Sequence, residues 1–394
     1  MTPLGLYIHI PFCASKCAYC DFYSLPHCEE KMDDYTAALI CHLRETAVQM
    51  QGQPVDTVYF GGGTPSYLGA ERLCRILETV KQYYAVDGDA EITLEANPDS
   101  AGNADALAKL RQAGFNRISL GVQSTDDGLL KRIGRIHTYE QVKQAVAAAR
   151  KAAFDNLSID LIYGLPDQTM EKWRQTLQEA VGLMPQHISC YGLKVEENTP
   201  LWREKDTMVA ADDDEQAEMY LWTADFLARQ GYGQYEISNF ARPGYESRHN
   251  LKYWRLLPYA GFGPGAHSDF GQVRFAYEKD LDSYIAGQRR VSRREEIDHR
   301  ERCMEYIMLS LRTAQGMDKR YFENTYHLPF SALEEKFTVY ERHGLAARTE
   351  GGWHLTAEGF LVSNRIIVEL QEAVSDLRYR RADVVMPPAG EMEA

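Results

Sequence analysis

Six short β-rich runs alternate with longer segments of helical composition between Leu4 and about Val195. The strand candidates are residues 6–10, 57–60, 91–95, 117–122, 158–162 and 187–193, and the segments 33–50, 70–84 and 139–153 are long enough for crossover helices. A strand followed by a helix, six times over, demands a parallel sheet with helices outside it, as an incomplete barrel or an open doubly wound sheet. Each run ends in something polar or glycine-rich: a cysteine loop, Gly61-Gly62-Gly63-Thr64, Glu95-Ala96-Asn97-Pro98, Gln123-Ser124, and Asp160 ahead of Tyr163-Gly164-Leu165-Pro166. Barrel sites gather at the C-terminal ends of strands, so these segments are expected to converge on one face. Taken singly, each is also ordinary punctuation of a strand end.

Beyond the alternation, Asp212-Asp213-Asp214-Glu215 reads as a solvated helix start at a domain edge, and residues 235–238 as a further strand. From about Arg300 the pattern is helical, then residues 345–355 suggest a hairpin turning at Gly351-Gly352, with a helix from Ala357. The expectation is an α/β protein: a partial (β/α)6 barrel with a smaller α+β, winged-helix-like C-terminal domain. The expected divisions are a barrel over 1–205, a barrel-completing region over 206–299, the winged-helix-like domain over 300–377 and a disordered tail over 378–394.

With 44% hydrophobic residues in 394, the chain can build a large core. Its 57 acidic against 43 basic residues, a net charge of −14, disfavour general capture of phosphate backbones, and nucleic acid is not expected as a partner. The N-terminus lacks a signal-type segment and no apolar run approaches the roughly 20 residues of a membrane span, so the reading is cytoplasmic. Eight cysteines are too sparse for a disulfide scaffold.

Three of the eight stand within eight positions as Cys13-x3-Cys17-x2-Cys20. Three soft thiolates so spaced can wrap a 4Fe-4S cubane, and because such a cluster ordinarily takes four, one iron is left for an outside ligand. Spacing i, i+4, i+7 also fits one buried helix face, and His9 or His27 could complete a Cys3His zinc site. Pro11 and the strand-like run before it weigh against a helix there. Cys28, Cys41, Cys74, Cys190 and Cys303 read as small buried hydrophobes.

The string Tyr7-Ile-His9-Ile-Pro11-Phe12-Cys13-Ala-Ser-Lys16-Cys17-Ala-Tyr19-Cys20-Asp21-Phe22 resembles the radical S-adenosylmethionine (SAM) subgroup that contains the heme chaperones and the anaerobic coproporphyrinogen III dehydrogenases. The similarity continues through GGGTP, LEANPD, SLGVQS, residues 132–135, IDLIYGLP and HNLKYW, and so covers most of the chain. The resemblance implies a partial (β/α)6 barrel holding a 4Fe-4S cluster on Cys13, Cys17 and Cys20, with SAM on the open iron. It places Tyr7 and Tyr19 beside SAM and brings Gly62, Gly63 and Thr64 to its amino-acid end. Glu95, Gln123, Arg135 and Asp160 match positions that hold SAM, and their types suit an ammonium, a carboxylate and ribose hydroxyls.

Two features divide the subgroup. The dehydrogenases carry a further cysteine two residues after the third ligand, where this chain has Phe22, and begin with an extension, whereas here the first strand is reached within about five residues. His249-Asn250-Leu251-Lys252-Tyr253-Trp254 resembles the HNxxYW motif linked to heme, which implies His249 as a heme ligand; imidazole is a common axial ligand of heme iron. His267 could be a second ligand or the anchor of a tight loop. The function expected is a heme carrier using a cluster, SAM and heme, delivering to recipient apo-heme proteins at the membrane, peripheral there during delivery, with a flavodoxin- or ferredoxin-type reductant. Oxidative decarboxylation of coproporphyrinogen III and radical-driven heme degradation are the enzymatic alternatives.

Overall fold

The computed structural model describes residues 1–375; the tail expected over 378–394 lies outside them. The chain divides into one compact unit over Met1–Asp298 and a second from His299 on. In the first, strand β1 (Leu4–Ile10) is followed by a two-residue pairing of β2 (Phe12–Cys13) with β3 (Leu25–Pro26) that frames the cysteine loop. Then come β4 (Pro54–Gly62), β5 (Ala85–Ala96), β6 (Arg117–Gln123), β7 (Asn156–Tyr163) and β8 (His187–Gly192). These six long strands lie parallel in the order β1-β4-β5-β6-β7-β8, which is the expected α/β barrel sheet.

The sheet continues at both edges. Antiparallel β9 (Gly233–Glu236) and β10 (Asn239–Ala241) extend it past β8. On the other side β11 (Tyr259–Phe262) pairs parallel with β1 and leads into the antiparallel β12 (His267–Phe270), β13 (Val273–Tyr277) and β14 (Val291–Glu296). A seventh parallel strand was not anticipated, because Tyr259-Ala-Gly-Phe is short and carries a glycine in place of an apolar alternation.

The outer helices follow local signals. Helices α1 (Met32–Ala47) and α2 (Ala70–Tyr83) join β1 to β4 and β4 to β5. Asn103 caps α3 (Ala104–Ala113), which closes on left-handed Gly114, and Asp126 caps the short α4 (Asp127–Arg132). Thr138 and Gln141 form a capping box on α5 (Tyr139–Lys151), Thr169 caps α6 (Met170–Gly182), and Asp212 and Glu215 form a second box at the start of α7 (Asp213–Arg229). The acidic run is thus a helix start, with its carboxylates at the positive end of the helix dipole.

Strand alternation sorts the side chains. Ile118, Leu120 and Val122 of β6 are fully buried in the layer beneath the helices, as are Val58 and Phe60 of β4, Leu94 of β5, and Leu157, Ile159 and Leu161 of β7. The opposite parity faces the barrel interior and is polar: Arg117, Ser119, Gly121 and Gln123; Tyr59; Glu95 and Asn97; Asp160; Ser189. Barrel interiors are ordinarily filled with branched aliphatic side chains; this one is lined for a polar ligand. The short helix α8 (Arg248–Trp254), capped by Ser247, lies against the beginning of β4, and α9 (Leu281–Ile285) packs on α1.

The second unit has α10 (His299–Ser310), α11 (Lys319–Tyr326) and α12 (Ser331–Arg342), with a three-stranded sheet of β15 (Met317–Asp318), β16 (Ala346–Arg348) and β17 (Gly352–Leu355) in the order β15-β17-β16. Helices α13 (Ala357–Leu361) and α14 (Ser363–Ser375) follow. Phe337 stacks on Trp353 at 5.2 Å in its core. Among the described residues no helix is long and apolar enough to cross a membrane. Of the scattered cysteines expected to be buried, Cys190 and Cys303 are, Cys28 and Cys74 are half-buried, and Cys41 is exposed on α1, its thiol donating to Glu45 one turn on at 3.0 Å, because this i, i+4 pair faces solvent.

Candidate functional site

At the C-terminal ends of the barrel strands lies a cavity of about 380 Å³. Cys13, Cys17 and Cys20 line it, all as free thiols, together with Tyr19, Gly62, Gly63, Thr64, Glu95, Gln123, Arg135 and Asp160. Residues from six separate chain segments are thereby brought to one chamber. Tyr7 does not reach its lining; its hydroxyl lies 3.1 Å from His9 Nδ1, and its ring stacks on Tyr59.

The cysteine loop is anchored on both sides. Gly63 N–H donates to Ile10 O and Thr64 N–H to Phe12 O, each at 2.8 Å, and Ala18 N–H donates to Ile133 O at 3.0 Å. A ring of polar contacts then ties two of the thiols together: Cys13 Sγ lies 3.4 Å from Thr64 Oγ1, which accepts from Asn97 Nδ2 at 3.0 Å. Asn97 Oδ1 accepts from Arg135 Nη2 at 2.9 Å, and Arg135 Nη1 lies 3.5 Å from Cys17 Sγ. Burial pushes the Cys13 and Cys20 thiols up, the direction that a bound metal would reverse.

The glycine segment is built for close approach. A Cβ on Gly63 would stand 2.7 Å from Phe12 O and 2.9 Å from Ile10 O, and Gly62 has φ of 111° with His9 2.6 Å from where its Cβ would be. Gln123, at the end of β6, is held at φ of 67°, an uncommon conformation for a non-glycine residue and one that clusters at functional sites.

Two carboxylates lie deeper. Glu95 accepts from Tyr59 Oη at 2.6 Å and Gly62 N–H at 3.2 Å; burial, reinforced by Asp160, lifts its carboxyl to about 7 against the pull of those donors. Asp160 accepts from Ser189 Oγ at 2.6 Å and Ser119 Oγ at 3.0 Å, and burial lifts it as well. The cavity therefore offers buried acidic groups beside three thiols, a lining suited to a small cationic ligand with hydroxyls.

The metal alternatives differ in fit. Among the described residues no three His, Cys, Asp or Glu side chains are gathered as around a single ion. His9, proposed for a Cys3His site, has its ring nitrogens at 3.1 Å from Tyr7 Oη and 2.9 Å from Tyr23 O. Three thiols around a shared cavity, with no fourth cysteine in its lining, fit a cubane held corner by corner, since such a cluster spans more than one ion's coordination sphere.

His249 lies apart from the cavity. It is 1% exposed and outside the cavity lining. Its Nδ1 lies 2.8 Å from Thr57 Oγ1, its Nε2 lies 2.8 Å from Tyr253 Oη, and its ring stacks on Tyr59 at 5.1 Å. Burial, then Lys252 and Arg117, push the imidazole down to about 3, so it is neutral. In this conformation it offers no free nitrogen to a heme iron. The rest of the motif is also structural: Glu91 accepts the N–H groups of Arg248 and His249 at 3.0 Å, and buried Lys252 pairs with Asp56 at 2.6 Å and donates to Pro3 O at 2.9 Å. Asn250 alone of the six reaches the cavity. His267 is exposed on β12, beside Arg274 and Arg293.

Sequence reasoning gave no role to Tyr59, Asn97, Arg117, Ser119, Ser189 or Asn250, all of which line the cavity. For most the signal was present: they share inward parity with positions already singled out on the same strands.

A barrel of parallel strands with a three-cysteine loop over a polar chamber defines a radical SAM protein, and the family model of the radical SAM superfamily matches residues 7–180, that of the HemN C-terminal domain residues 297–362. The heme chaperone HemW of Escherichia coli strain K12 is 38% identical over 381 residues, covering 93% of this chain and 98% of that one. HemW of Bacillus subtilis strain 168 is 35% identical (91% and 97% covered) and that of Lactococcus lactis 34% identical (92% and 96% covered). Within the superfamily, the chain belongs to the HemW heme chaperone family. Among solved structures, coproporphyrinogen III oxidase (HemN) from Escherichia coli superposes with a TM-score of 0.80 at 24% identity, covering 94% of this chain and 90% of that one; that likeness concerns the fold. Membership in the radical SAM superfamily implies a 4Fe-4S cluster and SAM.

Proposed function

We propose that this chain is a heme carrier that binds a 4Fe-4S cluster, SAM and heme and hands heme to apo-respiratory heme proteins at the membrane, drawing electrons from a flavodoxin- or ferredoxin-type donor. The observation that carries the reading is 33–38% identity to heme chaperones over most of both chains. Cys13, Cys17 and Cys20 would hold the cluster. Such a cluster, when bound, would supply a single electron to the sulfonium of the cofactor held beside it. Gly62 and Gly63 would let backbone approach the cofactor's amino-acid end, with Thr64 beside them, while Tyr19, Glu95, Gln123, Arg135 and Asp160 offer the charges and acceptors that an ammonium, a carboxylate and ribose hydroxyls require. Tyr7 would act indirectly, by ordering His9 and Tyr59.

Heme ligation by His249 requires Tyr253 to release Nε2, so the HNxxYW helix would be a closed form of the heme site. The reading is tested by loading the anaerobically purified protein with hemin and following transfer to membranes containing an apo-heme oxidase, with and without SAM. Appearance of oxidase activity is the expected result. Conversion of coproporphyrinogen III to protoporphyrinogen IX by the reduced protein with SAM would overturn it in favour of the decarboxylase.

A further inference from the structure

Arg117 begins β6 and is 1% exposed, yet its side chain lines the cofactor cavity. Among the described residues no hydrogen bond and no ion pair within 4 Å involves its guanidinium, and its Nε is buried without a partner. A buried charge left unpaired is costly, and guanidinium groups are ordinarily clamped by a carboxylate in a bidentate pair. Glu95 and Asp160 line the same cavity and the buried Glu91 acts on the group electrostatically, and none of the three takes it. Glu91 accepts the backbone N–H groups of Arg248 and His249. Glu95 is satisfied by Tyr59 and Gly62, and Asp160 by Ser119 and Ser189. Each acid is thus oriented by neutral donors, and the one cation among them is shared.

We propose that Arg117 is a positioning residue of the cofactor cavity, a single guanidinium held off all three carboxylates that draws Glu95 and Asp160 toward their negative forms for a cationic ligand without competing for their lone pairs. The geometry explains both halves of this role. A clamped arginine would occupy the oxygens that the ligand's ammonium and hydroxyls need. An absent one would leave carboxylates in a desolvated chamber, where burial favours their neutral forms. The groups facing Glu95 are Tyr59, Tyr7, Asp160, Arg117 and Tyr253; those facing Asp160 are Ser119, Ser189, Arg117, Arg135, Tyr59, Tyr191 and Cys190. Of these only Arg117 bears on both acids as a cation from the barrel floor, Arg135 being tied to Asn97 and Cys17. The inference rests on the reading of the cavity as a SAM site.

The test uses cluster-loaded protein: SAM dissociation constants between pH 6 and 9 for the wild type, Arg117→Met, Arg117→Gln and Arg117→Lys, with thermal unfolding of the same four proteins, without SAM, across the same pH range. In the neutral variants the pH midpoint of SAM affinity is expected to rise by about one unit or more, weakening binding about tenfold at pH 7 and recovering as pH rises; Arg117→Lys should follow the wild type. Without ligand, the loss of thermal stability in Arg117→Met should be small near pH 6 and widen above pH 7, because the variant's carboxyls resist ionisation only in the folded state. A pH-independent loss of affinity together with a pH-independent loss of stability would mean packing alone and overturn the proposal. A wild type that binds no SAM at any pH would sink the cofactor reading, and the proposal with it as regards the ligand, while the unfolding curves would still decide whether Arg117 governs the charge of the two acids.

Discussion

If His249 is a heme ligand, its competitor in this structure is identified: the Tyr253 hydroxyl, 2.8 Å from Nε2. Tyr253→Phe removes that partner and leaves a ring nitrogen buried and unsatisfied, since Nδ1 stays with Thr57 at 2.8 Å and the ring stays stacked on Tyr59. An orphaned buried polar group costs about 1–3 kcal/mol, and an iron that ligates Nε2 relieves that cost. The variant should therefore bind hemin roughly fivefold to somewhat over a hundredfold more tightly than the wild type, at 1.4 kcal/mol per factor of ten. Without hemin it should be less stable by a similar amount. The assay is a hemin titration followed at the Soret band, with chemical denaturation of the same samples. His249→Gln serves as the control, because it can retain a hydrogen bond within the helix while supplying no imidazole, and it should lose the affinity that Tyr253→Phe gains. A destabilised Tyr253→Phe that binds hemin no better than the wild type would refute the reasoning and remove His249 as a ligand; His267, exposed on β12, would be the next candidate.

Three further outcomes follow from the cavity. Gly63→Ala drives a methyl against the carbonyls of Ile10 and Phe12, at 2.9 and 2.7 Å, and overpacking of this kind costs about 1–3 kcal/mol; a lowered melting temperature and poor retention of iron on anaerobic purification are expected, and a variant with wild-type values of both would contradict the close-approach argument. Glu95 has its folded carboxyl raised to about 7, so the stability it contributes is present in full below the unfolded value near 4.5 and is lost as pH rises through 7. Glu95→Gln should accordingly lessen the fall in melting temperature between pH 6 and 8 and weaken SAM binding, and an unchanged slope would show that Glu95 titrates elsewhere. Cys17→Ser, which removes one soft ligand of three, should abolish the visible absorption of the cluster in protein that keeps its far-UV circular dichroism; a full cluster spectrum in the variant would exclude Cys17 as a ligand.

The barrel was readable because strand and helix differ in hydrophobic period, and because the polar ends of its strands carry unlike chemistry at like positions. The same alternation concealed the interior. A strand with apolar residues at 118, 120 and 122 and polar ones at 117, 119 and 123 reads as half-exposed, whereas here both faces are enclosed, the polar one around a cavity. Arg117, the first residue of that strand, consequently carried no signal of its own. Gln123 was selected by resemblance, but nothing local foretells its positive φ, which tertiary contacts impose. The partner of His249 was legible too. Its motif places Tyr253 one helical turn on, where i, i+4 side chains meet, and that pairing, visible in the sequence, satisfies the imidazole internally.

A fold shared with HemN at a TM-score of 0.80 cannot itself separate a carrier from a decarboxylase, since one scaffold hosts many functions. Position 22, on the rim of the chamber, bears on that separation. Lys16 Nζ donates to Phe22 O and, at 2.8 Å, to Ser24 Oγ, which fixes the loop backbone while the phenyl ring, 65% exposed, stays on the rim of the cavity. A cysteine at this point would bring a reactive sulfur to the entrance beside the cofactors; phenylalanine brings an apolar ring that can neither ligate iron nor exchange protons at ordinary pH. The difference leaves the three-thiol cradle intact and changes only what the rim presents. A protein that accepts and releases a tetrapyrrole unaltered is served by a rim without a reactive group, and Phe22 leaves the rim in that state.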